Sequence, residues 1–337
     1  MSDFDAVIAA LGGAEDDDEL CAAFGTGRDA VIAALSAHLP ALTLAHGWTD
    51  VVRTAVTSAA RIVAGRAGTP PGWHWHVSGS TGRGEALPGS DLDSLLVLDD
   101  GADPALVRLA AAEVHVLLER CGLPADDNGA LASRARFCRT SKEWLAAIDG
   151  WSTNPRVDRG VVMLGLISDA EGLDGPGPDG LRAELVDRLR AHPQAMTLVL
   201  QDATIERASV PSRLRIFASG EDVVDLKAAL LEPIVKIARW TALRSRSTAT
   251  STTARLVDAT ADPDPDLSGD DAQMLLECFA ILTRLRWRTR AKAWLDGSPV
   301  TDRVALSQLS PQDRATLRSV AREVAGVRRK LGYLAAF

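Results

Sequence analysis

Apolar side chains recur every three to four positions from the start of the chain to about residue 66. This spacing returns them to one face of a helix, so it predicts amphipathic helices throughout the stretch. A cluster of glycine and proline at 68–72 then interrupts any helix. We therefore predict an N-terminal helical region over residues 1–68. Its clearest apolar face is formed by Val51, Val52, Ala55, Val56, Ala59, Ile62 and Val63.

The pattern changes after residue 72. Aromatic and β-branched residues over 73–77 predict a strand, and a second strand is predicted at 92–98. A helix follows, with Asp103 as its N-cap, Pro104 in its first turn and Gly122 just past its end. The order strand, loop, strand, helix indicates the beginning of a mixed α/β unit.

Two more elements continue this unit. The capping box formed by Thr140 and Glu143 predicts the start of a helix. The apolar run at 161–167 predicts a buried strand, which ends just before Asp169. Both elements would extend the region that begins with the first two strands.

From residue 181 onward the apolar periodicity is helical. It predicts helices over 181–191, 226–244 and 271–293. The predicted fold class is therefore α+β. N-terminal helices would precede a domain with a mixed sheet over 69–180, and an all-helical domain over 181–337 would follow.

Composition places the chain among ordinary globular proteins. It has 337 residues, of which 46% are hydrophobic. At about 150 residues per domain, this length allows two or three domains with buried cores. No apolar run approaches the roughly 20 residues that span a bilayer, and the first residues are acidic where a secretory signal would be basic. We expect a cytoplasmic protein without a membrane-spanning segment.

No C-x-x-C pair occurs among the four cysteines, which are Cys21, Cys121, Cys138 and Cys278. Their scattered positions indicate neither a zinc site nor a disulfide framework. We expect all four to be reduced thiols.

The chain is acidic, with 37 Lys and Arg against 45 Asp and Glu and a formal net charge of −8. Proteins that act on polynucleotides are usually basic, so this charge argues against a nucleic-acid partner. Residues 281–337 are an exception, with twelve basic and four acidic side chains. We interpret them as solvated faces of arginine-bearing helices in preference to a surface for a polyanion.

The segment from residue 78 to residue 93 contains the most informative chemistry. Asp91 and Asp93 are two positions apart on the predicted second strand, so their side chains would project from the same face. Two neighbouring carboxylates repel each other unless a cation lies between them, and Mg²⁺ with phosphate co-ligands suits such a pair. Gly79 and Ser80 follow the first strand, where backbone N–H groups and the serine hydroxyl can approach a phosphate closely. The spacing predicts adjacent sites for a metal ion and a nucleoside triphosphate.

This segment reads Gly-Ser-x-x-Arg-Gly-Glu-x-x-x-x-Ser-Asp-x-Asp from Gly79 to Asp93. It resembles the signature of the nucleotidyltransferase superfamily that shares the palm of DNA polymerase β. Within that superfamily it most resembles the N-terminal domain of bacterial PII-protein uridylyltransferases. Later runs, including Gly122-Leu123-Pro124 and Val224-Asp225-Leu226-Lys227, resemble the DUF294 nucleotidyltransferases and their helical substrate-binding C-terminal domain. The resemblance begins near residue 70 and does not include the CBS domains often fused to this family.

The resemblance implies a polymerase-β-like catalytic domain in which three carboxylates bind two Mg²⁺ ions, with Mn²⁺ as a substitute. Asp91 and Asp93 would be two of these ligands. The third would be Asp169, because relatives carry an aspartate at the corresponding strand end, followed two residues later by arginine. This chain has Glu171 in place of that arginine. Glu171 and Asp174 are the alternative third ligands.

The resemblance also implies where the triphosphate binds. Arg83 would either balance the charge of the triphosphate or pair with Glu85, and Arg239 is a further candidate in the helical domain. The candidate triphosphate-binding residues are Gly79, Ser80, Arg83, Ser90 and Lys227.

These residues imply a metal-dependent nucleotidyltransferase, which moves a nucleoside monophosphate from UTP or ATP to a hydroxyl group and releases pyrophosphate. The acceptor would be a protein or a small molecule. An alternative is a non-catalytic nucleotide-binding regulator with the same fold, because the arginine after Asp169 is missing. The intact pair of Asp91 and Asp93 favours the enzyme, since a protein that only binds has less need for two crowded carboxylates.

Overall fold

The computed structural model describes residues 3–67, 72–125, 129–173, 180–205, 208–211, 222–261 and 266–334. They group into two compact units, each formed by two segments of the chain. The first unit comprises Met1–Gly150 and Leu166–Leu185, and the second comprises Trp151–Gly165 and Val186–Phe337. The domain boundaries placed after residues 68 and 180 stay predictions.

The first unit begins with α1 (Asp3–Gly13), α2 (Asp17–Ser36) and α3 (Ala41–Ala67). Asp16 caps α2, since its side chain accepts a hydrogen bond from the N–H of Glu19. The predicted N-terminal helices are confirmed, and the predicted apolar face of α3 is buried. That face consists of Val51, Val52, Ala55, Val56, Ala59, Ile62 and Val63.

A mixed four-stranded sheet follows in the first unit, in the order β3-β2-β1-β4. β1 (Trp73–Val77) is antiparallel to β2 (Ser94–Leu98) and to β4 (Glu171–Gly172), whereas β2 is parallel to β3 (Cys138–Thr140). All five residues of β2 are buried, as expected for a central strand that is covered on both faces. The predicted mixed sheet is confirmed.

The second strand begins two residues later than predicted. β2 starts at Ser94, so Asp91 and Asp93 lie in the segment that leads into the strand and not on the strand itself. Leu92 is apolar and only 2% exposed although it lies outside the strand. The apolar pattern therefore overestimates the length of the strand. The pairing still extends by one bond, because Ser78 N–H donates to the Asp93 carbonyl at 2.9 Å.

The Gly-Ser segment after β1 folds as a single helical turn, α4 (Gly79–Gly82). Gly82 N–H donates to the Ser78 carbonyl at 3.0 Å, and Arg83 N–H donates to the Gly79 carbonyl at 3.1 Å. Because these bonds are local, the turn holds its shape through its own backbone.

Two longer helices begin where the sequence predicts. α5 (Pro104–Arg120) is capped by Asp103, whose carboxylate accepts a hydrogen bond from a first-turn N–H at 2.8 Å. α6 (Ser141–Thr153) begins at the capping box, where Thr140 N–H donates to Glu143 at 2.8 Å. Both predictions are confirmed because a cap and its partner are close neighbours in sequence.

The apolar run after residue 160 forms a helix and not the predicted strand. This helix, α7, spans Gly160–Ser168, and its residues Met163, Leu164 and Ile167 are buried. A short run that is apolar at nearly every position has no period, so its pattern does not distinguish a buried strand from a buried helix. Asp169 therefore follows the C-terminus of a helix.

The second unit is mainly helical, as predicted. One element was not predicted, the antiparallel pair of β5 (Val223–Asp225) and β6 (Arg303–Ala305). Strands of three residues are too short to show an alternating pattern. The helices after residue 180 are α8 (Leu181–Leu189), α9 (Pro193–Ile205), a π-helical segment at Lys227–Leu231, α10 (Glu232–Ser245), α11 (Thr252–Thr260), α12 (Gly269–Leu295) and α13 (Pro311–Leu334).

α3 and α12 have 27 residues each, but polar and charged side chains interrupt both. Within the described ranges, no helix combines the length and the apolar character needed to cross a membrane.

The expectation of four reduced thiols was wrong for two cysteines. Cys21 on α2 and Cys121 at the end of α5 form a disulfide. The two residues are 100 positions apart, so no local spacing indicates the pair. Cys138 and Cys278 are free and buried, and burial raises the pKa of the Cys278 thiol to about 11.

The arginine-rich helix α12 has a solvated face, in line with the interpretation from sequence, and buries two arginines on the other side. Arg286 and Arg290 are buried and donate to Asp302, just before β6, at 2.6 to 2.9 Å. Burial alone would raise the pKa of Asp302, but the hydrogen bond and charge of Arg286, together with Arg290, lower it below its usual range. On the opposite side, Arg288 is exposed and pairs with Asp313 at 2.7 Å.

Candidate active site

The Gly-Ser turn lies against the second aspartate of the motif. Gly79 starts α4 with a φ of +58°, a left-handed conformation that favours glycine. A Cβ atom at this position would lie 2.6 Å from Oδ2 of Asp93. Glycine therefore leaves room for the Asp93 carboxylate beside the backbone of the turn. The structure thus brings together one candidate phosphate-binding residue and one candidate metal ligand.

The two aspartates of the motif differ in their surroundings. Asp91 is exposed, Leu92 is buried and Asp93 is half-buried. This alternation is typical of an extended segment in which both aspartates face away from the core. Oδ1 of Asp93 accepts a hydrogen bond from Ala130 N–H at 3.1 Å. The Asp93 carboxylate is therefore held in place, whereas Asp91 faces solvent.

The two serines predicted to contact phosphate also have roles within the loop. Ser90 closes a turn with Leu87, because its hydroxyl accepts from Leu87 N–H at 3.0 Å and its own N–H donates to the Leu87 carbonyl at 2.9 Å. The Ser80 carbonyl accepts from Glu85 N–H at 2.8 Å. The Ser80 hydroxyl forms no hydrogen bond with any residue that the structure describes, and the Ser90 hydroxyl accepts one but keeps its own O–H donor. A phosphate contact by either serine stays a prediction.

Arg83 lies at the centre of a buried ion cluster. Its Nε donates to Oε2 of Glu85 at 2.8 Å, and its Nη1 donates to Oδ2 of Asp169 at 2.5 Å. The three side chains are at most 9% exposed. Charge-assisted bonds of this kind are strong in a buried environment, so they hold the loop after α4 in one conformation. Of the two roles expected for Arg83, the structure shows the pairing with Glu85 and adds a second carboxylate.

Asp169 approaches the motif through its backbone as well as its side chain. A Cβ atom at Gly82 would lie 1.9 Å from the carbonyl oxygen of Asp169, so only glycine permits this contact. Asp169 is 1% exposed. The structure therefore places Asp169 beside the motif, at the end of α7 and not at the end of a strand.

Arg53 on α3 belongs to the same region and was missed from the sequence. Its guanidinium donates to the carbonyls of Thr81 at 3.1 Å and Gly82 at 2.8 Å, at the C-terminal end of α4. Burial lowers the pKa of Arg53, and the charge of Glu171 opposes that shift. No local signal marks Arg53, because it precedes Thr81 by 28 residues in a helix with an ordinary amphipathic pattern.

Glu171 stands where the resemblance implies an arginine in relatives. It lies on β4 and accepts a hydrogen bond from Nη1 of Arg182 at 3.1 Å. The same nitrogen donates to the carbonyl of Ala170 at 2.7 Å. Arg182 therefore brings a guanidinium next to Asp169 from outside the motif. Asp174, the other alternative third ligand, lies outside the described residues.

The candidate metal ligands lie in different surroundings. Within the described ranges, no three His, Cys, Asp or Glu side chains are grouped closely enough to hold a metal ion. Asp169 is buried and paired with Arg83, whereas Asp93 lies beside the Gly-Ser turn and Asp91 is exposed. Mg²⁺ is commonly held by one or two carboxylates, with phosphate oxygens and water as the other ligands. Asp91 and Asp93 fit that arrangement, and Asp169 as a metal ligand stays a prediction.

The two basic candidates from the C-terminal region belong to the second unit. Lys227 is exposed at the start of the π-helical segment. Arg239 on α10 is half-buried, and its Nη1 would be 3.1 Å from a Cβ atom at Gly165. A role for either residue in binding triphosphate stays a prediction.

Comparison with known families bears on both units. The family model described as "Putative nucleotidyltransferase DUF294" matches residues 27–158, which include the segment from Gly79 to Asp93. The model described as "Putative nucleotidyltransferase substrate binding domain" matches residues 199–334. No curated protein sequence is significantly similar to the chain, and the resemblance to PII-protein uridylyltransferases stays a sequence-based expectation. Because the two models match in this order over most of its length, the chain belongs to the DUF294 nucleotidyltransferase family.

Proposed function

We propose that the chain is a Mg²⁺-dependent enzyme that transfers a nucleoside monophosphate from UTP or ATP to a hydroxyl group of a protein or a small molecule, with release of pyrophosphate. The observation that carries this proposal is the close approach of Gly79 and Asp93. Both residues lie inside the part of the chain that matches a nucleotidyltransferase family.

Each residue of the site has a role that its surroundings support. Asp91 and Asp93 hold the cation, which when bound neutralises the triphosphate and polarises the α-phosphate. Gly79 lets the phosphates approach the backbone of the turn, and Ser80 adds a hydroxyl donor. Arg83 is a positioning residue, because it holds the loop through two carboxylates. The acceptor supplies the nucleophile, so catalysis rests on positioning and charge neutralisation.

The charge of the chain supports an acceptor other than a polynucleotide. The formal net charge is −8. In the basic C-terminal region, Arg286 and Arg290 are buried and bound to Asp302, so they do not offer their charge to a polyanion. Both observations favour a hydroxyl of a protein or a small molecule as the acceptor.

A non-catalytic nucleotide-binding regulator is the second candidate. It is favoured by the pairing of Asp169 with Arg83 and by Glu171 in place of the arginine of relatives. Such a protein would bind a nucleoside triphosphate with Mg²⁺ and leave it intact.

Transfer of label separates the two candidates. The purified chain is incubated with each α-³²P-labelled nucleoside triphosphate, Mg²⁺ and a cell extract, and label is sought on proteins and small molecules. We expect product with UTP or ATP and none in EDTA. Binding without labelled product would favour the regulator. Equal labelling with and without EDTA would contradict a Mg²⁺-dependent transferase.

A further inference from the structure

The second unit contains a cavity that the proposed function does not use. Its volume is about 710 Å³, within the range of about 300–1,000 Å³ that is usual for small-molecule sites. Its walls come from α9 and α10, with contributions from the end of α8 and the end of α13. The apolar part of the lining includes Met196, Leu200, Trp240 and Leu243.

The charged part of the lining is rich in arginine. Among the described residues it consists of Arg190, Arg244, Arg246 and one carboxylate, Asp266, so three positive charges and one negative charge leave a net +2. The whole chain carries −8, so the positive cavity does not follow from the overall composition. Arg244 is paired with Asp266 at 3.1 Å. Arg190 has a longer contact of 3.9 Å, with the exposed Asp187.

Arg246 has a backbone conformation that arginine rarely adopts. It caps the C-terminus of α10 with a φ of 62° and a ψ of 26°, in the left-handed region. Helices often end in this conformation, but the residue there is usually glycine, because a Cβ atom is unfavourable. The Arg246 side chain forms no hydrogen bond or ion pair with any residue in the described ranges. An exposed guanidinium that lines a positive cavity is available to an anionic ligand.

We propose that this cavity binds a small organic anion. The apolar or aromatic body of the ligand would lie against Trp240 and Leu243, and its carboxylate, phosphate or sulfate group would pair with Arg244 and Arg246. Arginine suits this role, since its planar guanidinium donates two parallel hydrogen bonds to such a group. Most of the lining lies within residues 199–334, which match a family model described as substrate-binding. The site does not depend on nucleotidyl transfer.

Two probes that differ by one charged group test both parts of the site. The first is 8-anilinonaphthalene-1-sulfonate, which has an aromatic body and a sulfonate. The second is N-phenyl-1-naphthylamine, which has the same body without the sulfonate. Both are titrated into the full chain and followed by calorimetry and by probe fluorescence. We expect the sulfonate to bind at one site, about tenfold more tightly than the uncharged amine.

Arg246→Gly removes the guanidinium and introduces glycine, the residue that this backbone conformation favours. We expect it to weaken binding of the sulfonate about tenfold and to leave binding of the amine unchanged. The midpoint of thermal unfolding should not fall, because glycine suits a left-handed helix end. Arg159→Gly is the matched control, since Arg159 is another exposed arginine with a positive φ of 56°, outside the cavity lining. This variant should bind the sulfonate like the parent.

Several results would overturn the proposal. It is wrong if Arg246→Gly binds the sulfonate as tightly as the parent, if Arg159→Gly weakens it as much, or if the amine binds as tightly as the sulfonate. A lower thermal midpoint for Arg246→Gly would show that Arg246 stabilises the fold, which also contradicts the proposal. None of these outcomes bears on the labelling experiment, so the anion site and the proposed function fail separately.

Discussion

The two units bury ion clusters of opposite composition. In the first unit Arg83 lies between two carboxylates, so the cluster carries a net −1 when all three groups are ionised. In the second unit Asp302 lies between two guanidinium groups, and the cluster carries a net +1. Both clusters are largely excluded from solvent.

The two clusters differ in their surroundings. The first adjoins the motif, where Arg83 N–H donates to the Gly79 carbonyl and Gly79 makes room for the Asp93 carboxylate. That region has an excess of negative charge, which a cation from outside can balance. In the second, the Asp302 carbonyl accepts from Leu226 N–H at 2.9 Å, so the cluster ties the two-stranded pair to α12. We infer that the first cluster supports function and the second supports the fold.

Removal of the central cation of the first cluster should have the largest effect. Arg83→Met removes the guanidinium that pairs with the buried Glu85 and Asp169, and breaking a buried ion pair in this way costs about 3–5 kcal/mol of the free energy of unfolding. We expect labelling per folded molecule to be lost as well, because the loop after α4 is no longer held. Urea unfolding and the labelling assay measure the two effects.

Arg83→Lys is the control for this prediction. It keeps the charge but not the planar fork, so it should recover part of both the stability and the labelling. Parent-like stability of Arg83→Met would show that the cluster does not hold the loop.

Asp302→Ala breaks the second cluster and should separate stability from function. Two buried guanidinium groups lose their ion pair with Asp302, so we again expect a loss of about 3–5 kcal/mol in the free energy of unfolding. Labelling per folded molecule should stay at the parent level, measured below the unfolding temperature. Loss of labelling in a folded Asp302→Ala protein would remove the functional distinction between the clusters.

The two units should also differ in their response to acid. His115 on α5 is buried beside the Ser94 hydroxyl, and burial lowers its pKa from 6.5 to about 4. As the pH falls between these values, the unfolded chain takes up a proton that the folded protein does not. The contribution of neutral His115 to the free energy of unfolding is therefore complete above pH 6.5. It is lost progressively as the pH falls, by up to about 3 kcal/mol. His115→Gln should remove this dependence in urea unfolding at about pH 7 and about pH 4.5.

Asp302 provides the control, because it titrates at lower pH. Burial favours its neutral form, but the hydrogen bond and charge of Arg286 outweigh burial and hold the pKa below 3.8. The contribution of Asp302 is complete above that value and is lost only as the pH falls through the lowered pKa. Asp302→Asn should therefore keep the parent's pH dependence between pH 6.5 and 4.5. A dependence that survives in His115→Gln would refute the assignment to His115.

Gly79→Ala should have a small effect on stability and a larger one on binding. Alanine at a φ of +58° costs about 1–2 kcal/mol, and its Cβ atom would press on Asp93. We expect binding of the nucleoside triphosphate with Mg²⁺ to weaken about tenfold in calorimetry, equivalent to about 1.4 kcal/mol. Gly101→Ala is the matched control, with a φ of +89° and, apart from its chain neighbours, no heavy atom of the described residues within 4 Å of a Cβ. If the two variants bind equally well, the contact with Asp93 does not shape the site.

Elements with local signals could be predicted from the sequence. α5 and α6 begin at Asp103 and at the capping box of Thr140 and Glu143, because each cap bonds to N–H groups within three residues. The apolar run at 161–167 has no hydrophobic period that distinguishes a helix from a strand. The strand predicted there was therefore wrong, and the segment is helical. Arg53 contacts a residue 28 positions away, and the two disulfide cysteines are 100 positions apart. No local sequence pattern indicates contacts over such separations.

The contact between Gly79 and Asp93 could be predicted from the sequence, but the ion pairs around it could not. Motif spacing predicted that Gly79 and Asp93 lie together, because both flank short adjacent strands. The spacing did not predict that Asp169 pairs with Arg83. A sequence motif indicates the position of a carboxylate in the chain, but it does not identify the distant side chain with which that carboxylate pairs. Asp169 also lies outside both family matches.

Replacement of the motif aspartates by asparagine tests whether this site performs the transfer. Asp91→Asn and Asp93→Asn keep the side-chain shape and remove the charge that holds the cation. Asp99→Asn is the control, because Asp99 is an exposed aspartate that pairs with His74 outside the motif. At equal concentrations of folded protein, we predict that transfer of α-label falls at least about a hundredfold in Asp93→Asn and is unchanged in Asp99→Asn. Full-rate transfer by the Asp91→Asn, Asp93→Asn double variant would contradict the proposal that these carboxylates form the active site.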